Sequence, residues 1–415
     1  MKIMLRAHPS LEKEKVLEPA PIKVCMHVLE IVRTDPRVLR EATALKEAGF
    51  AVAIVDVEEE HTRPGEEDFH GICLKHIPMP GSFFSSRFDR WSFIRAGQLL
   101  IRSVLRLIKA SADIYHAHDV EALPACYVAA LLRRKPLIFD AHELPLSERP
   151  LSEMGRSRQW LHKLLAVLLV YMLRRCAGVI TVSPPLVEEV QQRYHVPEVT
   201  LIRNLPPHRV VPKGDRLRQV LGLGPGVGVA LYQGNLQPDR HLDLLVRAAA
   251  FLAPDIVIVM MGKDMKSTQA QLEALIASEG VVDRVKILPS APYEELLDWT
   301  ASADIGLIVY RPDYSRNVQG MLPNKFFEYL MAGLPVLASP LESIAEVIKT
   351  YDVGQVISSL APADIGAAIS GMLADRVALD RMHHDALEVA KQEFCWEKEH
   401  EELISLYHKI WDGYQ

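Results

Sequence analysis

The sequence is short of the features that mark several whole classes of protein. Its five cysteines, Cys25, Cys73, Cys126, Cys176 and Cys395, stand singly with no CxxC or comparable spacing. That excludes a disulfide framework, a zinc knuckle and a dithiol redox motif, and it points to a reducing compartment. Positive charge is not in excess: 47 Lys and Arg against 53 Asp and Glu leave a net charge of -6, which gives no general electrostatic reason to bind nucleic acid. The longest apolar run, Leu164 to Leu173, is bracketed by Lys163 and Arg174 and is far shorter than the roughly 20 residues of a membrane span. Residues 1–21 are charged and proline-bearing, lack the basic-then-apolar order of a secretory signal, and read as a flexible leader.

What is present is an ordinary globular composition, 49% hydrophobic and 24% charged over 415 residues, long enough for two or three domains with cores of their own. Short β-branched runs alternate with amphipathic helical stretches, the order expected of βαβ units and parallel sheets, so the fold class is α/β. The first unit runs from a strand at Ile22 to Val28, through a helix from Pro36 to Ala48 stopped by Gly49, to a strand at Ala51 to Asp56. Proline at a helix start and glycine just past its end are the expected punctuation. Further strands fall at Asp113 to His116, Leu137 to Phe139, Val179 to Val182 and Thr200 to Ile202. The alternation pauses at Asn204 to Lys213 and resumes with strands at Val229 to Tyr232, Ile256 to Met260, Val285 to Leu288, Ile305 to Val309 and Pro335 to Ala338. The expected organisation is a domain over 22–205, a linker over 206–215, a second domain over 216–394, and a helix in 395–415 that returns to the first domain.

Ligands of open parallel sheets bind beyond the carboxyl ends of the strands, where loops converge and helix N-termini offer free N–H groups. In the first domain those positions hold Asp35, Arg37, His118, Asp119, Asp140, His142 and Glu143; in the second they hold Gly234, Asn235, Lys263 and Tyr310. Gly234 follows a strand and Arg240 comes soon after, a pairing that lets backbone and guanidinium approach a phosphate, although a glycine in that place is also an ordinary turn. More specific is Leu322-Pro-Asn-Lys-Phe-Phe-Glu-Tyr-Leu-Met-Ala-Gly-Leu-Pro-Val336. Lys325 in the first turn of that helix opposes the helix dipole, a conflict that a bound anion resolves. Glu328 lies one turn on, where it can pair with Lys325 or accept from two vicinal hydroxyls.

The run from Pro323 to Val336 resembles the donor-binding motif of glycosyltransferase family 4, whose members have the GT-B fold of two Rossmann-like, doubly wound domains facing each other across a cleft. Gly234 to Arg240, Ala117-His118-Asp119 and Asp35-Pro-Arg-Val-Leu-Arg-Glu41 resemble further parts of the same family, in the same order. The resemblance implies a retaining transfer of a sugar from a nucleotide-diphosphate sugar to a glycan, lipid-linked or small-molecule acceptor, with no metal and no cofactor beyond the nucleotide-sugar co-substrate. It implies catalytic roles for His118, Arg240 and Lys325, and donor binding by Gly234, Asn235, Arg240, Pro323, Asn324, Lys325 and Glu328. Asp35, Arg37 and His142 fall on the acceptor side. The location implied is cytoplasmic, and the process cell-surface polysaccharide or glycolipid assembly.

Two positions depart from the family pattern. Asn235 stands where many members have arginine, and Gly320 stands where a first glutamate is usual, eight residues before Glu328. Gly320 is therefore expected to leave an altered donor-sugar pocket, with Asn317 and Gln319 reaching into the vacated space. The histidines and carboxylates of the first domain lack an HExxH or similar ligand spacing, so no metal site is expected. His116 reads as a buried histidine inside its strand, and Asp140 as a residue that caps a helix or pins a loop rather than acting as a base.

Two stretches, Arg87 to Lys109 and Arg149 to Arg175, are locally basic, and Arg95, Arg102, Arg106 and Lys109 share one helical stripe. Such a stripe suits either a solvated face or peripheral binding to anionic lipid on the inner face of the plasma membrane. The rival readings of function are a non-hydrolysing sugar-nucleotide epimerase, which needs no acceptor, and a catalytically silent sugar-nucleotide-binding protein.

Overall fold

The computed structural model describes residues 20–59, 62–80, 92–146, 156–311, 316–320 and 322–415. The leader expected at residues 1–21 falls almost wholly outside this range.

Eight strands build the first sheet: β1 (Lys23–His27), β2 (Ala51–Glu59), β3 (Glu66–Phe69), β4 (Ile72–Met79), β5 (Ile114–His118), β6 (Leu137–Ala141), β7 (Gly178–Thr181) and β8 (Thr200–Leu201). Their order is β3-β4-β2-β1-β5-β6-β7-β8, with only β3 antiparallel to its neighbour. The hairpin formed by β3 and β4 was not expected. The run from Glu58 to Asp68 carries six carboxylates, and charge at that density hides the alternation by which an edge strand is read.

The second sheet is wholly parallel: β9 (Gly228–Gln233), β10 (Ile256–Met261), β11 (Val285–Leu288), β12 (Ile305–Ile308), β13 (Val336–Ala338) and β14 (Gly354–Val356), in the order β11-β10-β9-β12-β13-β14. Buried on both faces, β9 and β10 read as continuous apolar runs rather than as alternating ones. The three-residue β14 is too short to leave a pattern.

Both sheets are doubly wound, and their strand order reverses between β1 and β5 in one and between β9 and β12 in the other. Those are the two crevices in which such sheets hold ligands. On one face of the first sheet lie the helices Ser92–Ala110, Asp119–Arg133, Arg156–Leu173 and Pro184–Tyr194. On the other lie Pro36–Glu47 and the closing helix Trp396–Tyr414. That last helix buries Trp396, Leu403, Leu406, Tyr407 and Ile410 among Val24, Met26 and Ile54 of the first domain, so the chain finishes by returning to the domain where it began. Arg203 and Glu399 fasten the return with an ion pair at 2.8 Å. Leu205 and Val211, on either side of the linker's start, belong to the second core.

Candidate active site

Between the two sheets lies a cavity of about 680 Å³ lined from both sides. The first domain contributes Asp35, Arg37, His142, Glu143 and Asn204, and the second Gly234, Asn235, Arg240, Lys263, Pro323, Asn324, Lys325 and Glu328. All the donor-side and acceptor-side residues singled out in the sequence thus border one space, apart from His118.

On the second-domain wall, backbones approach closely. Gly234 holds φ at 127°, and a Cβ there would sit 2.9 Å from the Lys325 ammonium. A Cβ on Gly262 would meet the Gly234 carbonyl oxygen at 1.8 Å, so only glycine fits that crossing. Lys325 lies under these turns with its Nζ 3.9 Å from the Tyr232 ring centroid and 5.4 Å from that of Tyr310. Arg240 faces the same Tyr310 ring at 5.3 Å. Burial lowers the Lys325 pKa, an effect only partly offset by the Tyr310 phenol, and the two cations close to each other leave a site short of negative charge.

Of the two readings of Glu328, the helix-internal pair with Lys325 is not the one formed. Glu328 Oε2 accepts from Gln233 Nε2 at 2.5 Å, and Gln233 Oε1 in turn accepts from the Thr300 hydroxyl at 2.7 Å. The Gln233 amide donates to the Tyr329 hydroxyl at 3.0 Å. Burial raises the Glu328 pKa despite the bond from Gln233, so a hydroxyl-bearing ligand that solvates its carboxylate is favoured there. Asn235, where arginine was expected, borders the cavity, and its carbonyl accepts from the Tyr232 hydroxyl at 3.0 Å. Lys263 supplies a cation on the same wall.

The first-domain wall is a buried charge network. Asp35 caps the helix Pro36–Glu47, its Oδ1 accepting from the amides of Arg37 and Val38 at 3.0 and 3.2 Å. Arg37, expected to meet an acceptor, turns inward instead. Its guanidinium grips Asp140 at 2.9 and 3.0 Å, donates to the Ile202 carbonyl at 3.0 Å and pairs with Glu41 at 3.0 Å. Asp140 pins more than a loop: burial opposes its ionisation, yet Arg37 and His142 hold its pKa well below the usual carboxylate range.

His142 sits between two carboxylates, with Nε2 3.0 Å from Asp140 Oδ2 and Nδ1 3.0 Å from Asp119 Oδ2. Burial works against its charge, but the two aspartates outweigh that and raise its pKa to about 10. Asp119 also accepts from the His142 amide at 3.1 Å, from a backbone held at φ 63°. A non-glycine residue in that region is strained, and here the strain delivers a carboxylate to a site residue.

His118 was expected beyond the strand end, beside the reacting sugar. The structure makes it the last residue of β5, 1% exposed, facing a second cavity of about 740 Å³ that meets the first at Asp35, His142 and Glu143. Its neighbour His116 is buried as read, with Nδ1 2.7 Å from the Tyr407 hydroxyl of the closing helix. Glu41, His116, His118 and Asp140 gather within 4.8 Å. This is a different grouping from any visible in sequence, and it already contains the Arg37 guanidinium as its counter-charge.

Gly320 is displaced from its expected role. It does not border the cavity; a Cβ there would face Pro185 of the first domain at 3.4 Å, and its carbonyl accepts from Ser343 Oγ at 3.0 Å. The Asn317 side chain lies outside the described residues.

With this geometry in view, comparison is decisive. The Glycosyltransferase Family 4 model matches residues 37–205, and the Glycosyl transferases group 1 model matches residues 214–393. The chain belongs to glycosyltransferase family 4. A D-inositol 3-phosphate glycosyltransferase of Nocardia farcinica is 26% identical over 393 residues, 89% of this chain and 83% of that protein. Other curated relatives of that name align over about half of this chain and about half of their own length.

Among solved structures, sucrose-phosphate synthase from Thermosynechococcus elongatus superposes with a TM-score of 0.73 at 17% identity, covering 94% of this chain and all of that one. Anabaena HepE in complex with UDP and glucose gives 0.67 at 15% identity, with the same coverage. The glycosyltransferase fold is therefore GT-B, with its cleft at the two crevices described above.

Proposed function

We propose that this glycosyltransferase moves a sugar from a nucleoside-diphosphate sugar, held on the second-domain wall, to an acceptor held on the first. The reading rests on one observation: Arg240, Lys263, Lys325 and the half-buried Glu328 border one cavity whose opposite side is Asp35 and His142. The three cations suit a diphosphate, and Glu328 suits the vicinal hydroxyls of a ribose. Counter-charge for the leaving group comes from the protein, so the reaction runs without a metal. The anomeric carbon to phosphate-oxygen bond breaks, the acceptor oxygen bonds to the same face, and its proton passes to the departing diphosphate, giving retention. Arg240 and Lys325 act on that diphosphate, and His118 on the acceptor.

The HepE complex holds UDP and glucose in the same fold, which favours a uridine donor as the first to test. Calorimetry with UDP, GDP and ADP, followed by product NMR with the matching nucleotide sugars, decides the reading. Binding of a nucleoside diphosphate and an unchanged anomeric configuration are expected, with activity intact in EDTA. Binding of none of the three, or an inverted product, overturns it.

The exposed surface favours work at an anionic membrane, as for polysaccharide or glycolipid assembly. Arg102 and Arg106, expected to face outward, are tied to the Pro78 and Gly65 carbonyls and to Glu66. The exposed face of their helix also carries apolar residues, with Ile101 62% and Leu105 63% exposed beside the exposed Arg102 and Lys109. Leu131, Leu132, Trp160, Val167 and Tyr171 continue that character on the two helices that follow, with Lys163, Arg174 and Arg175 in the same sequence as the last three. Apolar side chains ringed by cations fit an interfacial position. Among the described residues no helix is long and apolar enough to cross a membrane.

A further inference from the structure

The ring of His118 is held less firmly by polar contacts than its burial suggests. It borders the cavity of about 740 Å³, and its Nδ1 lies 3.4 Å from Asp140 Oδ2, beyond the range of a good hydrogen bond. Both oxygens of that carboxylate are already engaged, by Arg37 at 2.9 and 3.0 Å and by His142 at 3.0 Å. The His142 ring meets His118 at a tilt of 56°, with centroids 5.7 Å apart. Asp140 and His142 therefore steer the edge of the ring without setting its plane.

The plane is set from the strand beneath. His116 and His118 are two apart on β5, so their side chains leave the sheet on the same face. The two rings stack with centroids 4.2 Å apart and 28° between their planes. His116 Nδ1 lies 2.7 Å from the Tyr407 hydroxyl. Tyr407 is fully buried, packed edge-on against Phe50 at 5.6 Å, and among the described residues its hydroxyl has this one partner. Burial pushes the pKa of the phenol up, so it keeps its proton and donates to Nδ1, which puts the proton of the neutral His116 ring on Nε2. The same bond locks rotation, because a His116 ring turned over would offer the phenol a carbon.

From this geometry we infer that Tyr407, on the closing helix, is a positioning residue for the transfer: through the stacked ring of His116 it sets the plane in which His118 meets the acceptor. The inference rests on the reading above that His118 acts on the acceptor. The helix Trp396–Tyr414 then does more than cover the first domain, since one of its hydroxyls reaches the reaction through two rings.

The test begins with a readout that needs no substrate. In the whole protein carrying isotope-labelled histidine, the His118 ring signals should shift in Tyr407→Phe, while UDP affinity by calorimetry stays as it was. With UDP-glucose as the donor probe, kcat should fall about tenfold at unchanged donor KM. In a His118→Ala background the same substitution should cost nothing further. The double variant Tyr407→Phe, His116→Leu replaces both hydrogen-bond partners by apolar groups, so it should recover stability lost by Tyr407→Phe and yet stay as slow. Unmoved His118 signals overturn the inference whatever the turnover. Equal losses with and without His118, or parental activity in the double variant, overturn it too and leave Tyr407 a residue of the fold only. Absence of turnover with UDP-glucose tells against a uridine donor instead, and the ring signals alone then decide the role of Tyr407.

Discussion

On the first domain's side of the cleft the strand ends carry carboxylates and histidines; on the second domain's side they carry Arg240, Lys263 and Lys325. Both walls stand on doubly wound sheets and place their residues at the point where strand order reverses. They hold charge differently. The first wall keeps its charges in a closed network in which Arg37, Asp140 and His142 satisfy one another. On the second, Arg240 and Lys325 face aromatic rings with their positive charge unspent. A self-neutralised frame suits positioning, and an unneutralised one suits an anionic ligand that comes and goes.

The largest expected effect comes from breaking the first frame. Asp140→Asn keeps the shape but leaves Arg37 and His142 without their shared carboxylate. Removing one partner of such a buried set costs about 3–5 kcal/mol, which urea unfolding should register, and an unchanged midpoint would show that the network is not integral. The pH dependence carries a sign. Asp140, with its pKa depressed, adds stability that is present above the ordinary carboxylate value near ~3.9 and lost as acid protonates it. His142, raised to about 10, adds stability that is complete below its ordinary value near ~6.5 and lost as pH rises through about 10. Both contributions are whole between about pH 4 and pH 6.5, and His142→Gln should flatten the alkaline side of the curve.

Next is the second wall. Arg240→Ala should lower kcat by about a hundredfold with a smaller change in nucleotide affinity, because charge on the leaving diphosphate grows as the glycosidic bond breaks. Equal losses in kcat and in affinity would make Arg240 a binding residue only. Glu328→Ala removes a charged acceptor worth roughly 1.5–3 kcal/mol, and calorimetry should show that loss for a ribonucleotide but much less for its 2′-deoxy counterpart. Parallel losses for both would move Glu328 away from the ribose.

These tests fall on residues that the sequence exposed to very different degrees. Alternating strands and helices were readable because each βα unit carries its own period, and the donor wall because Pro323 to Glu328 and Gly234 to Arg240 are each contiguous. The first wall was only half legible. Arg37 and Glu41 stand at i,i+4 in one helix, a pairing open to inspection, but Asp140 joins them from 103 residues away and Tyr407 reaches His116 from 291 away. No local period records such partners. Tyr310 was read as a strand-end residue, but that its ring and that of Tyr232, from the ends of β12 and β9, would flank Lys325 was not legible for the same reason.

Smaller again is the contrast at the surface. If the apolar helices of the first domain meet the bilayer, the protein should sediment with anionic but not neutral vesicles, and Trp160→Ser with Val167→Ser should weaken that binding by about tenfold, each substitution removing part of a side chain's burial. Arg102→Gln with Arg106→Gln should matter less, since both guanidinium groups are occupied by backbone carbonyls. A reversed order of the two pairs would place the contact on the basic stripe read from the sequence.

The smallest effect is expected at Gly320, where sequence and structure disagree most. Read against the family pattern, a glutamate there would reach the donor sugar, so its loss should reshape sugar preference. In the folded chain the missing side chain would point at Pro185, across the boundary between the domains, and Gly320 does not border the donor cavity. The position ends the short helix Arg316–Gly320 and is not among the glycines with positive φ. A Cβ at 3.4 Å from Pro185 is an ordinary contact. Gly320→Ala should therefore change stability by less than about 1 kcal/mol, in the favourable direction because alanine restricts the unfolded chain. The order of preference among neutral, acidic and N-acetylated donor sugars should be the same in the variant and the parent. A changed order would return Gly320 to the sugar pocket; a changed KM for every donor alike would mean instead that Pro185 and Gly320 set how far the cleft closes.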